Sequence, residues 1–205
     1  MIGAAPRLGG GDPVADPAVA AAHRHLHEDA VAVLTAWTAP DAGQDRLRRD
    51  HLAHLLRHPD GVAKDGPPAH LTASCLVLDH AGERVLLTLH RRAGAWFQLG
   101  GHLEAADRSL WAAARREARE ESGLDALEPL PRPVQLDRHE LVGSFGRCRE
   151  HLDVRYAALA PAGARPRVSA ESHAVAWWPV DALPEGTRDE LAPLVSLARD
   201  ALDLV

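Results

Sequence analysis

No stretch of the chain approaches the eighteen unbroken apolar residues that a membrane-crossing helix needs. The start, MIGAAPRLGGGDP, has no apolar signal core, so neither a membrane nor export is expected, and the expected compartment is the cytoplasm. Cysteine is nearly absent. Cys75 and Cys148 are too few for a disulfide framework and sit at no metal-ligand spacing, which points to reduced, buried thiols. Positive charge is in deficit too: 23 Lys and Arg face 29 Asp and Glu, a formal net charge of −6, which argues against a broad nucleic-acid surface. Internal repeats and long low-complexity segments are missing as well. What is present is 205 residues with 46% hydrophobic content, enough for one sizeable core in a soluble globular protein with a small appendage.

The first fifteen residues are rich in Gly and Pro and are expected to be mobile. Asp16-Pro17 reads as an N-cap followed by Pro at the first helical position, and apolar Val19, Leu26, Val33, Leu34 and Trp37 continue a helix up to Pro40. A second helix is expected from near Asp45 through Leu47, Leu52, Leu55 and Leu56, stopped by Pro59-Asp60-Gly61. These two helices make residues 16–65 a helical appendage. His23 and His27 share a helix face with His25 nearby, but no acidic or Cys partner is fixed beside them, so they read as solvated histidines.

From His70 the period changes. Leu71 to Leu78 and Arg84 to Leu89 are β-branched and apolar runs on either side of the turn cluster Asp79-His80-Ala81-Gly82, which predicts a hairpin. Further strands are expected over Val134 to Val142, His151 to Leu159 and Ala174 to Pro179, and a last helix over Asp189 to Leu204.

Between these strands lies GGHLEAADRSLWAAARREAREESGL, Gly100 to Leu124. At about 100° per residue, Leu110, Ala113, Ala114, Glu117, Glu120, Glu121 and Leu124 share one helical stripe, with Arg115 and Arg119 opposite. The inward face is therefore expected to carry three carboxylates. Like charges three and four residues apart repel. Arg116 reaches Glu120 at the next turn, but one guanidinium cannot neutralise three carboxylates, whereas a hard divalent cation with oxygen ligands could. The alternative is a solvated helix laced with Arg/Glu pairs. Asp107 or Ser109 could cap the helix, and Gly123 can close it. The paired glycines Gly100 and Gly101 allow either close approach of the backbone or positive φ.

This unit resembles the signature of the Nudix hydrolases: Gly, five residues, Glu, seven residues, then Arg-Glu-apolar-x-Glu-Glu-x-Gly-apolar. Arg116-Glu117-Ala118-Arg119-Glu120-Glu121-Ser122-Gly123-Leu124 matches the second half at every fixed position. In the first half Gly101 is followed after five residues by Asp107 in place of Glu, and eight residues separate Asp107 from Arg116. The extra residue reads as a longer loop before the helix. It bears on the pairing of Asp107 with Arg116 more than on the metal site.

The resemblance implies an α/β fold, an α/β/α sandwich with a mixed sheet, over residues 66–205. It implies a pyrophosphohydrolase acting on a nucleoside diphosphate linked to another group. Mg²⁺ or Mn²⁺ would be held by Glu117, Glu120 and Glu121, with a backbone carbonyl from Gly101 or Gly100, and Arg116 would orient a glutamate. Some members supply a general base from the loop before the last strand, where Glu171 stands; Glu150 and Asp153 are the alternatives, and a solvated Glu171 is the plain reading. Trp96, Phe97, Trp177 and Trp178 could stack on a base or belong to the core. Two functions remain open: an active enzyme, possible as a homodimer, and a Nudix-fold module that binds a nucleotide without turnover. The intact Arg-Glu-x-x-Glu-Glu favours the enzyme.

Overall fold

The computed structural model describes residues 16–141, 147–170, 172–187 and 189–204. The Gly- and Pro-rich start and Glu171 lie outside the described residues.

Helix α1 spans Pro17–Ala36, and its cap is the expected one: the Asp16 carboxylate accepts the Ala18 N–H at 2.9 Å. Helix α2, Ala42–Arg57, begins ahead of the expected Asp45 because Asp41 caps it, accepting the N–H groups of Gly43 and Gln44 at 2.6 and 2.9 Å. Of the three α1 histidines only His25 is exposed; His27 Nε2 donates to the Leu55 carbonyl at 3.1 Å and ties α1 to α2.

Among the described residues seven strands follow: β1 (Ala69–Leu78), β2 (Arg84–His90), β3 (Trp96–Phe97), β4 (Leu99–His102), β5 (Gln135–Glu140), β6 (Glu150–Leu159) and β7 (Ser172–Pro179). Helix α3 (Leu110–Ser122) comes between β4 and β5, and α4 (Leu191–Ala201) closes the chain. The β1–β2 hairpin forms, with the Asp79 carboxylate accepting the N–H groups of Glu83 and Arg84 at 2.9 and 3.1 Å. Its pairing, though, is confined to Val77↔Leu86 and Leu78↔Val85. The earlier part of β1 pairs antiparallel with β4, all of β1 pairs in parallel with β6, and β2 takes β7 on its other edge. The sheet is therefore mixed. Of the expected strand Val134–Val142, β5 leaves out Val134 and Leu141, and Val142 lies outside the described residues; α4 is shorter than Asp189–Leu204, while β7 starts ahead of Ala174.

Side chains alternate across β1 and sort the layers. Leu71 and Ala73 pack in one cluster with Leu26 and Leu34 of α1 and Leu110, Ala113 and Ala114 of α3. Leu76 and Leu78 pack on the other side with Leu191, Leu194, Val195 and Ala198 of α4. The result is an α/β/α sandwich. The N-terminal helices share its core: fully buried Leu26 and Leu34 each contribute about 2 kcal/mol of apolar burial. Polar ties accompany the packing. Trp37 Nε1 donates to the Pro133 carbonyl at 2.7 Å, the Gln44 amide bonds both backbone groups of Leu136 at 2.7 and 3.1 Å, and Asp29 accepts the Leu110 N–H at 2.7 Å. That last contact satisfies a donor in the first turn of α3, which its own helix leaves open. Among the described residues no helix is long and apolar enough to cross a membrane.

Candidate active site

The two glycines of β4 are there for close approach and not for positive φ. A Cβ on Gly100 would stand 2.3 Å from Ser74 Cβ, and one on Gly101 would stand 2.6 Å from Glu117 Oε1. The missing side chains let β4 lie against β1 on one side and let a glutamate of α3 approach the main chain on the other. Ser109, not Asp107, caps α3, accepting the Ala112 N–H at 3.0 Å, and Gly123 ends it at φ +66°.

Asp107 has another task. Buried at 8% exposure, it accepts Arg116 Nε at 3.0 Å and Nη2 at 2.9 Å, as well as the Glu104 N–H at 2.8 Å. The extra residue of the loop thus leaves the pairing intact. Arg116 Nη2 also donates to the His102 carbonyl at 3.0 Å, and Nη1 reaches Glu117 at 3.0 Å and Glu120 at 3.1 Å. Burial works against its charge, but the bonds to Asp107 and the charge of Glu117 hold the Arg116 guanidinium above its ordinary range.

The inward stripe differs from the expectation by part of a turn. Ala118 and Ser122 are buried beside Leu110, Ala113 and Ala114; of the glutamates Glu121 alone is buried, Glu117 is half-buried and Glu120 exposed. Burying three like charges would cost several kcal/mol for each. Glu121, the one taken inside, accepts the Gly100 N–H at 2.9 Å. The arrangement brings Glu117 and Glu121 to the glycine strand, with a single guanidinium tying Glu117 to Glu120.

A family model for the NUDIX domain matches residues 68–198. The chain belongs to the Nudix family. With the family's Arg-Glu-x-x-Glu-Glu intact, its enzyme class is that of a Nudix pyrophosphohydrolase. Among solved structures it is similar to a NUDIX-family hydrolase from Clostridium perfringens, at 25% identity and a TM-score of 0.52 over 65% of this chain and 97% of that one. It also resembles in fold an Ap4A hydrolase from C. elegans (18%, 0.53, 65% and 97%). A third likeness is the NUDIX domain of NrtR from Shewanella oneidensis, solved with ADP ribose (21%, 0.50, 73% and 97%). No curated protein matches the sequence.

Two of the three residues considered as a base can be placed in this Nudix fold. Asp153, 3% exposed, accepts from Thr72, Ser74, Gln98 and Arg155 at 3.0, 2.7, 3.3 and 3.0 Å. Burial pushes it up, but Arg155 and the Ser74 hydroxyl outweigh that and hold Asp153 below the usual carboxylate range, so it is a saturated anchor and a poor base. Glu150 is held by Arg138 through two bonds of 2.7 and 2.9 Å. Of the aromatics, Trp96 and Trp178 meet edge to face at 5.3 Å on the α4 side, and Trp177 packs in the cluster of Ala118 and Leu127. All three are partly buried.

One constellation escaped the sequence reading. His70, His102, Cys148 and His151 come together on the face of the sheet turned away from α3. The one local signal that could have pointed to it is the spacing of Cys148 and His151, three apart; the other two histidines are far away in the chain.

Proposed function

We propose that this enzyme hydrolyses the diphosphate linkage of a nucleoside diphosphate derivative by attack of water on phosphorus, with Mg²⁺ or Mn²⁺ held by Glu117, Glu120, Glu121 and the Gly101 carbonyl. The observation that carries the reading is the approach of Glu117 and Glu121 to the Gly100-Gly101 backbone, with Glu120 tied to the same guanidinium as Glu117. This all-oxygen donor set suits a hard cation that keeps water and phosphate oxygens in its remaining positions. Bound there, the cation supplies positive charge against the phosphate oxygens and makes water more acidic.

The chain's own residues supply orientation. Asp107 and the His102 carbonyl anchor Arg116, whose free edge sets Glu117 and Glu120 in place and offsets part of their mutual repulsion. Gly100 does the same for Glu121 through its N–H. Preorganisation of this kind removes the need to gather the carboxylates when substrate arrives. Glu171, directly ahead of β7, is the proposed base that takes the proton from the attacking water. The engagement of Asp153 and Glu150 elsewhere supports that choice.

The test is a screen of nucleoside diphosphate derivatives, with Ap4A and ADP ribose first because similar folds carry those names. Phosphate or monophosphate release with Mg²⁺ and none without it is expected, with isotopically labelled water entering the phosphate product. Tight binding of these compounds without turnover would replace the enzyme reading by that of a binding module.

A further inference from the structure

We propose that His70, His102, Cys148 and His151 form a second metal site, a closed tetrahedral Zn²⁺ centre that pins β1, β4 and β6 together on the sheet face opposite α3. The inference is independent of the function proposed above, since none of the four is a ligand of the glutamate site.

One donor atom from each of the four lies within 4.8 Å of all the others. Cys148 Sγ stands 3.3 Å from His70 Nε2 and 3.2 Å from His151 Nε2. A tetrahedron with Zn–S of about 2.3 Å and Zn–N of about 2.0 Å needs edges of about 3.3 to 3.6 Å between ligands. The two sulfur–nitrogen edges are thus close to the required length before any ion is bound. The three imidazoles lie close to one another, with ring centroids 5.1, 5.0 and 5.5 Å apart for the pairs His70–His102, His102–His151 and His70–His151.

The donors are also prepared chemically. His70 Nδ1 faces the Pro67 carbonyl at 3.0 Å, and a carbonyl only accepts, so Nδ1 carries the proton and Nε2 presents its lone pair towards Cys148. A metal-binding histidine has this same outer contact. His102 Nε2 is buried with no hydrogen-bond partner, which leaves a desolvated lone pair or N–H unless something fills the space. Burial raises the Cys148 thiol, while Lys64 and Arg149 pull it down; on coordination the thiol proton leaves to solvent.

The donor set selects the ion. Three imidazoles and a thiolate are borderline to soft ligands that suit Zn²⁺, whereas the carboxylates of α3 are hard. Four protein ligands fill a tetrahedron and leave no position for substrate water, so the site's role is to hold the fold. Register explains why it falls where it does: His70 pairs with His151 between β1 and β6, and His102 pairs with Thr72 two residues further along β1, on the same face.

The experiment titrates metal-free protein with Co²⁺ and follows the visible spectrum, alongside elemental analysis of zinc in the purified chain. One equivalent of zinc is expected, together with tetrahedral cobalt absorption and a sulfur-to-cobalt charge-transfer band. Cys148→Ser should abolish the charge-transfer band and His102→Ala should lose the equivalent of zinc. Glu120→Gln and Cys75→Ala should keep both. A wild-type protein that takes up neither Co²⁺ nor Zn²⁺ at a one-to-one ratio, or a cobalt spectrum without the thiolate band, overturns the proposal. That wild-type measurement decides the matter even if the variants fail to fold. A thiolate band that disappears in Cys75→Ala and persists in Cys148→Ser overturns it too.

Discussion

The two faces of the central sheet gather side chains in opposite ways. On the α3 face three glutamates come from two turns of one helix, and the whole group is contiguous in the chain. On the other face three histidines and a cysteine come from three strands and the segment before β6, brought together by pairing across 81 positions of sequence from His70 to His151. Strand β4 serves both: Gly101 opens the main chain towards Glu117, and its neighbour His102 points to the imidazole cluster. Because successive residues of a strand face opposite sides, one dipeptide can border two sites of different chemistry. The charges differ as well. The helix group needs Arg116 to hold it together, whereas burial pushes His102 and His151 below the ordinary imidazole range, so those two rings pack closely without a counter-ion.

If the faces are independent, removing a carboxylate should silence one and spare the other. Glu120→Gln should lower turnover roughly a thousandfold and abolish calorimetric binding of Mg²⁺ to the α3 face. Unchanged Mg²⁺ binding by this variant would remove Glu120 from the ligand set. A smaller loss, about a hundredfold in turnover with metal and substrate affinity nearly intact, is expected for Glu171→Gln, since a base acts on water in the transition state. Weakened Mg²⁺ binding, with the rate partly restored by added metal, would instead make Glu171 a ligand; full activity would exclude both roles.

Arg116→Ala should cost about thirtyfold in turnover with little change in KM, because it misplaces glutamates and touches no substrate. It should also destabilise the fold by about 3 kcal/mol, since the buried Asp107 would lose its partner. Combining it with Asp107→Ala should recover part of that stability and none of the turnover, which separates the structural from the positioning role in one double-mutant cycle. A rise in KM alone would make Arg116 a substrate contact.

The smallest expected effect concerns an imidazole in neither site. His51 is fully buried, donates Nδ1–H to the Leu47 carbonyl at 2.8 Å, and is pushed down to about 4 by burial. Its folded pKa lies below its unfolded one, so above about pH 6.5 neither state is protonated and the fold is unaffected. As the pH falls towards 4 the unfolded chain takes up a proton that the fold refuses, and stability drops by about 3 kcal/mol. Melting temperatures measured from pH 7 to 4 should show this loss, with no change in turnover at neutral pH; a variant His51→Gln with an equally steep profile would assign the loss to other groups.

What the sequence determined by itself is what short-range physics controls. Caps at Asp16 and Gly123, the turn at Asp79, and Glu117, Glu120 and Glu121 beside Arg116 depend on residues a few positions apart, whose geometry a helix or turn dictates. The buried stripe takes in Ala118 and leaves out Glu120 because periodicity gives spacing but not the rotation of the helix, which the sheet beneath it selects. Whether Asp107 could still reach Arg116 across a longer loop was likewise a matter of loop path. Strand partners lay further out of reach: a run such as Leu71 to Leu78 announces a strand, yet nothing local says that it pairs in parallel with β6 and only briefly with its own hairpin mate. Tertiary structure alone decided that register, because strand pairing is chosen by the total burial of both faces. With it came the meeting of His70, His102, Cys148 and His151, whose spacing in the chain carries no periodic signal.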